Sequence, residues 1–296
     1  FKQKTAYEIP LRLVGSEMCI RDSYLKRGKI DKVHIANYLK KELRNHNYTI
    51  IKDPTGTSPF KLIENFSPRK GDCGTAGHFW KENKVKIGTG TTDCNSNRLR
   101  LEVASSGDIR IGKKAKEIWV GYYFYVPNTP DNFKDKLLQP YITQFYSVNR
   151  KGGQTVGGYA PQFSASIYNG KLSIEGNHVI DEKNLKGKWH KVEFNIRYSK
   201  QYDGFIKVYI NDELKVNRSG FKTASHDYVD IKYGTYSHPE YGGASYPEGY
   251  QFPSHTIYFA GFSMNKVRSK LLTLSLIHIS EPTRRRGISY AVFCLK

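Results

Sequence analysis

Residues 228–236 read YVDIKYGTY. Tyr228, Asp230, Lys232, Gly234 and Tyr236 alternate with Val229, Ile231, Tyr233 and Thr235, the period-two pattern of a strand with two differently dressed faces. One face carries two phenols, an ammonium group and a glycine. Lys232 and Tyr236 lie four residues apart, about 13 Å along an extended chain, so both could touch one polymeric ligand lying across a sheet. The same letters also suit an ordinary amphipathic strand with a solvated lysine.

The elements that must position these groups lie between two unusual ends. Residues 2–9 (KQKTAYEI) and 17–23 (EMCIRDS) read as translated sequencing-library adapters, and 274–280 (LSLIHIS) and 288–295 (ISYAVFCL) read as their reverse complements. An inverted pair of that kind is not a protein repeat. Residues 1–23 and 274–296 are therefore set aside from fold reasoning. They carry +1 and +3 of the chain's formal +20, so +16 belongs to the remainder. Such a field favours a polyanionic partner: nucleic acid, anionic lipid or an acidic polysaccharide. No apolar run reaches the ~20 residues that span a membrane as a helix.

With Cys19 and Cys294 in the end segments, Cys73 and Cys94 remain, 21 residues apart. With no His or Cys at zinc spacing nearby, the pair reads as a disulfide rather than a metal site, which implies an oxidising, secreted or periplasmic setting. Closing such a loop is worth roughly 3 kcal/mol in the chain-entropy view.

Residues 24–47 form a short basic leader with a loose helical spacing. From residue 48 the texture is strands and turns: 48–52 and 60–66 around a DPTGTSP cluster, the aromatic run 118–126 stopped by Pro127, then 161–168 and 172–175 joined by Asn169-Gly170. Residues 189–198 and 205–210 follow, then a short strand after Asp212, the opening stretch, and 256–265. This spacing predicts an all-β fold, an antiparallel β-sandwich or jelly roll over 48–273 with few short helices. Gly152-Gly153 and Gly157-Gly158 bracket a segment, 148–159, expected as a flexible loop or a lid.

The order of several short patterns carries a resemblance. GDC…DC…R-x-R-x-E at residues 71–102, W-x-G-Y-Y-F-Y-V-P at 119–127, Q-F-Y at 144–146, KWHKVEFNIRYS…DGFIKVYINDE at 188–213 and K-Y-G-x-Y at 232–236 resemble the jelly-roll, concanavalin-like polysaccharide lyases. The likeness is to the heparin lyase I and glucuronan lyase group, and alginate lyases share the R-x-E, Q-x-H and Y-x-K-x-G-x-Y skeleton. It covers about residues 48–265. It implies a carbon–oxygen lyase that cleaves a uronate-containing polysaccharide by β-elimination, leaving 4,5-unsaturated ends. No cofactor is required by that chemistry, although the resemblance allows a structural calcium ion.

Elimination across C4–C5 of a uronic acid needs three jobs: neutralise the C5 carboxylate, remove the C5 proton and protonate the leaving oxygen. Arg98, Arg100 and Glu102 share one face of an expected strand, where a guanidinium can take a carboxylate bidentately while Glu102 orients its neighbour. Gln144 offers an amide to the same carboxylate. Tyr236, a phenol among Lys232 and arginines, is the candidate for proton transfer as base, acid or both. On this reading Tyr236, Tyr146, Gln144 and Arg98 are catalytic, and Arg100, Lys232, Glu102, Tyr228 and His238 bind substrate. The chain departs from the pattern at Tyr146, where related lyases carry histidine two residues after the glutamine. Either Tyr236 works alone in a syn elimination or Tyr146 shares the task. His78, His190, His226 and His238 are spare candidates, with His190 expected to be structural and His238 the best placed.

A non-catalytic, lectin-like jelly roll for acidic glycans is the alternative, motivated by Tyr146. A nucleic-acid binder rests on charge and the leader alone, and a glycoside hydrolase lacks paired carboxylates at E-x-D-x-x-E spacing.

Overall fold

The computed structural model describes residues 48–70, 98–104, 109–110, 115–151, 154–157, 161–238 and 250–271. The expected leader at 24–47, both end segments, His78 and the Cys73/Cys94 pair lie outside the described residues.

The described chain is almost entirely antiparallel strand: β1 (Tyr48–Lys52), β2 (Leu62–Phe66), β3 (Leu99–Ala104), β4 (Ile109–Arg110), β5 (Lys116–Tyr125), β6 (Tyr141–Lys151), β7 (Gln154–Gly157), β8 (Pro161–Tyr168), β9 (Lys171–Ile174), β10 (Asn177–Ile180), a one-turn helix α1 (Glu182–Leu185), β11 (Trp189–Tyr198), β12 (Gly204–Ile210), β13 (Glu213–Phe221), β14 (Tyr228–Ser237) and β15 (Ile257–Asn265). One sheet runs β1-β2-β15-β5-β11-β12-β13. The other runs β10-β9-β8-β6-β14-β3, with β4 on β14 and β7 on β6. The two form a sandwich of the jelly-roll type, as the strand spacing predicts.

Three tight connections set much of the register. Asn169 and Gly170 both adopt positive φ (49° and 75°), as do Glu175 and Gly176, and Asn211 and Asp212. Two successive left-handed residues give a turn whose twist matches the flanking strands. The segment expected as a loop, 148–159, is instead mostly the paired ends of β6 and β7, with Asn149 opposite Gly157 and Lys151 opposite Gln154. The pairing is hidden in sequence because 149–151 and 154–155 are polar and carry no apolar alternation to mark a strand.

Alternation then builds the core. Tyr122 and Phe124 of β5, Phe194 of β11 and Phe259 of β15 face Phe145, Phe163 and Tyr233 of the other sheet, all buried. Phe145 meets Phe194 edge-on at 4.9 Å, and Tyr233 stacks on Phe262 at 4.2 Å. Each such side chain contributes roughly 1.5–3 kcal/mol by leaving water. The aromatic run of β5 divides as a sandwich strand must: Tyr122 points inward, whereas Tyr123 and Tyr125 lie on the far face of their sheet.

One carboxyl group sits inside this core. Glu64 of β2 accepts hydrogen bonds from the hydroxyls of Tyr48 (2.8 Å) and Tyr233 (2.9 and 3.0 Å), tying one sheet to the inner side of β14. Burial raises its pKa to about 7, against the opposing pull of both phenols. A carboxyl whose folded pKa exceeds its unfolded one makes the folded state bind more protons, so stability falls as pH rises from about 4.5 to about 7. Glu64→Gln removes that titration. In urea denaturation the parent should lose stability relative to the variant between pH 5 and pH 8, by on the order of a few kcal/mol. Parallel curves for the two proteins would contradict this reading.

Candidate active site

The site is assembled on the outer face of the second sheet. In β14, Val229, Ile231 and Tyr233 belong to the core, so Lys232, Gly234 and Tyr236 face away from it. Across one edge, Gly234 lies opposite Glu102 and Tyr236 opposite Arg100 of β3. Across the other, Lys232 lies opposite Gln144, Asp230 opposite Tyr146 and Tyr236 opposite Tyr141 of β6. Directly opposed residues of antiparallel strands project to the same side, so this single face gathers Arg100, Glu102, Tyr141, Gln144, Tyr146, Lys232 and Tyr236.

These groups are not solvated in the manner of a strand's outer face. Gln144 is 1% exposed, Glu102 2% and Tyr236 5%. The guanidinium of Arg100 lies 4.1 Å from the centre of the Tyr236 ring, and Tyr141 stacks on the same ring at 6.2 Å. Lys232 Nζ lies 4.6 Å from the centre of the Tyr146 ring. His238, also buried, meets the edge of Tyr236 at 5.9 Å. Arg98 stands immediately before β3 rather than within it, and its Nε is buried with no acceptor among the described residues. Gln144 Oε1 is likewise buried without a donor among them. Buried polar atoms left without protein partners are costly unless a ligand or water completes them.

Each phenol has a cation on its ring face, Arg100 on Tyr236 and Lys232 on Tyr146. Burial pushes the Tyr146 phenol well above the ordinary tyrosine range; Glu102, Tyr236 and Tyr141 push the same way, against Arg100. Tyr146 is thus held as a protonated donor. A negative charge developing on either ring would be favoured by its cation.

Of the residues read from sequence, Tyr236, Tyr146, Gln144, Arg100, Lys232, Glu102 and His238 come together, with Arg98 at the margin. Tyr228 shares the face but stands opposite Val148, eight residues or about 26 Å along the strand from Tyr236. His190 is structural, as expected: it is buried against Phe124, its Nε2 lies 3.1 Å from the Leu185 carbonyl, and burial lowers its pKa. His226 stands before β14, ten residues from Tyr236, where its backbone N–H donates to Ser147 Oγ. Sequence reasoning did not find Tyr141 or Asp230. Asp230 was visible by parity within its strand, whereas Tyr141 stands an odd three residues before Gln144. It reaches the outer face only through a shift of register between Tyr141 and Thr143. Among the described residues, no cluster of three or more His, Cys, Asp or Glu could hold a metal ion.

Fold and site together define a β-sandwich with a basic, phenol-bearing outer face. The profile of the polysaccharide lyase family matches residues 26–263, and the chain belongs to that family. Among solved structures, it is similar to the endo-β-1,4-glucuronan lyase of the fungus Trichoderma reesei, at 13% identity and a TM-score of 0.51 over 77% of this chain and 91% of that one. Looser likenesses are to the PL-14 alginate lyase of Aplysia kurodai (11% identity, TM-score 0.41, 78% and 92% covered) and the alginate lyase vAL-1 of Chlorella virus (10%, 0.42, 74% and 89%). At these identities the first supports the fold and the other two carry no further weight. Among curated proteins, none matches this sequence.

Gly234 makes the constellation sterically feasible. Its φ is +136°, and a Cβ there would lie 2.3 Å from the Leu101 carbonyl oxygen and 2.9 Å from both Glu102 Cα and Phe66 Cε1. Any side chain must push β3 off β14 and carry Arg100 away from Tyr236. Gly234→Ala should cost at least about 1–3 kcal/mol and lower turnover well beyond tenfold in protein that is still folded. Gly56→Ala is the control, since Gly56 also has positive φ (+67°) but nothing within 4 Å of an added Cβ. Equal urea midpoints and equal activities for the two variants would contradict the close-approach role.

Proposed function

We propose that the protein cleaves a uronate-containing polysaccharide by β-elimination, leaving a 4,5-unsaturated uronic end. The observation that carries the proposal is the gathering of two phenols on one buried polar face, each with a cation on its ring: Tyr236 beneath the Arg100 guanidinium and Tyr146 beside Lys232. Arg98, Arg100 and Gln144 neutralise and orient the C5 carboxylate, which stabilises the charge that spreads into it as the C5 proton leaves. Tyr236 takes that proton. The electron pair of the C5–H bond becomes the C4=C5 double bond, the C4–O bond breaks, and the departing oxygen receives a proton from Tyr146 or back from Tyr236. Two phenols on one face can divide the acid and base tasks between them. Lys232 and His238 bind neighbouring substrate groups, and Glu102 orients the arginines.

The basic remainder of the chain suits an acidic polymer and raises the local concentration of such a partner. The disulfide expectation, taken with a polysaccharide substrate, favours a setting outside the cytoplasm.

The test is ultraviolet absorbance of the conjugated unsaturated uronate on a panel of glucuronan, alginate, heparin, heparan sulfate and pectate. At least one polymer should give a rising signal. Tyr236→Phe should reduce it by about 10²-fold or more, and Tyr146→Phe by a smaller factor. Undiminished turnover in Tyr236→Phe contradicts the assignment. Retention of an acidic glycan without any new double bond instead favours a binding protein in which Tyr146 stands where a lyase carries its histidine.

A further inference from the structure

The register of the second sheet extends the site well beyond the residues that do chemistry. Starting from β3, Arg100 lies opposite Tyr236, Tyr236 opposite Tyr141, Tyr141 opposite Ser166, Ser166 opposite Ser173, and Ser173 opposite His178. Six residues from six adjacent strands therefore form one row across the sheet. Five interstrand steps make it about 24 Å long, enough for several sugar rings. The neighbours of the serines fix which way they face: Ala165, Ile167, Leu172 and Ile174 are all in the core, so Ser166 and Ser173 point to the same outer side as Tyr236.

The row is chemically lopsided. The end at β3, β14 and β6 is cationic and aromatic. Within the row, the end at β8, β9 and β10 is made of small, neutral hydrogen-bonding groups, with Lys171 of β9 on the same face two residues from Ser173. There the exposed His178 ring is oriented by Ser173, with Nδ1 2.8 Å from Ser173 Oγ. The carboxylate at the turn between β9 and β10, Glu175, is paired with Arg218 at 3.3 Å, which offsets its charge. Hydroxyls and an imidazole suit sugar hydroxyls.

Building on the lyase reading, we propose that Ser166, Ser173 and His178 form a distal subsite that binds the hydroxyl groups of a sugar several residues away from the bond being broken. Its continuity with Tyr236 and Tyr141 through the register commits the occupant to the same glycan chain. The protein thus grips its polymer on the β8–β10 side of the cleavage point as well as at the point itself.

The test uses His178→Ala and Ser166→Val, both outside the core, against the polymer that is cleaved best and against the shortest oligosaccharide of it that is cleaved. Each lost hydrogen bond should raise KM for the polymer by about two- to tenfold. The rise for the short substrate should be smaller by at least about threefold, because that substrate does not reach β9 and β10. Equal increases for both substrates, or none for the polymer, overturn the subsite. Affinity electrophoresis in gels containing each glycan separates this from the lyase reading. If no polymer is eliminated but one retards the parent, weaker retardation of His178→Ala supports the subsite while the lyase reading fails. Unchanged retardation overturns it. A parent neither retarded by nor active on any member of the panel overturns both.

Discussion

The site depends on the close approach of two strand backbones at Gly234. With no Cβ and a φ that other residues rarely adopt, Gly234 lets β3 lie against β14 at a distance a side chain would forbid. That approach sets Arg100 over the ring of Tyr236. On the opposite edge of β14 three residues, from Tyr233 to Tyr236, span what two residues span on β6, from Thr143 to Tyr141. The extra residue is a bulge, which locally sharpens the twist and redirects side chains. It brings Tyr141 level with Tyr236, while alternation alone sends Tyr233, three positions earlier, into the core. Strand alternation thus delivers one phenol to the outer face and another to Glu64 behind it.

Placing so many polar groups on a buried outer face is unfavourable in isolation. An arginine nitrogen and an amide oxygen without partners among the described residues each cost about 1–3 kcal/mol of desolvation. The sandwich core beneath offsets this, since Phe66, Tyr233, Phe259 and Phe262 pack directly under the same strand. The same burial gives the electrostatics their reach. In a less polarisable setting the Glu102 carboxylate and the neighbouring phenols act on Tyr146 more strongly than they would in water. Stability is held on one side of β14 and function on the other, as in sites where preorganised dipoles await a charge that develops only during reaction.

Much of this is legible in the sequence because strand alternation is local. The parity of 228–236 places Lys232 and Tyr236 on one face, and the Asn169-Gly170 pair marks its hairpin by residue type alone. The spacing R-x-R-x-E likewise puts Arg100 and Glu102 together, although Arg98 falls just outside the strand. What escapes is nonlocal. Tyr141 joins Tyr236 only through register shifts on both strands, and the row reaching His178 needs five strand pairings to be known at once. Glu64, in the run LIENF, looks like a solvent-facing acid on a strand, and only the partnership of Tyr48 and Tyr233 explains its burial. The β6–β7 pairing is hidden because its polar residues carry no apolar alternation to mark a strand.

The central claim is that the bond to the leaving oxygen breaks by elimination and not by addition of water. Digestion of a susceptible acidic polysaccharide in water enriched in oxygen-18, followed by mass spectrometry of the fragments, distinguishes the two without reference to any variant. Elimination predicts fragments with no incorporated label and a new non-reducing end lighter by one water than a hydrolytic product. Fragments that carry the heavy oxygen and lack that deficit would contradict the account.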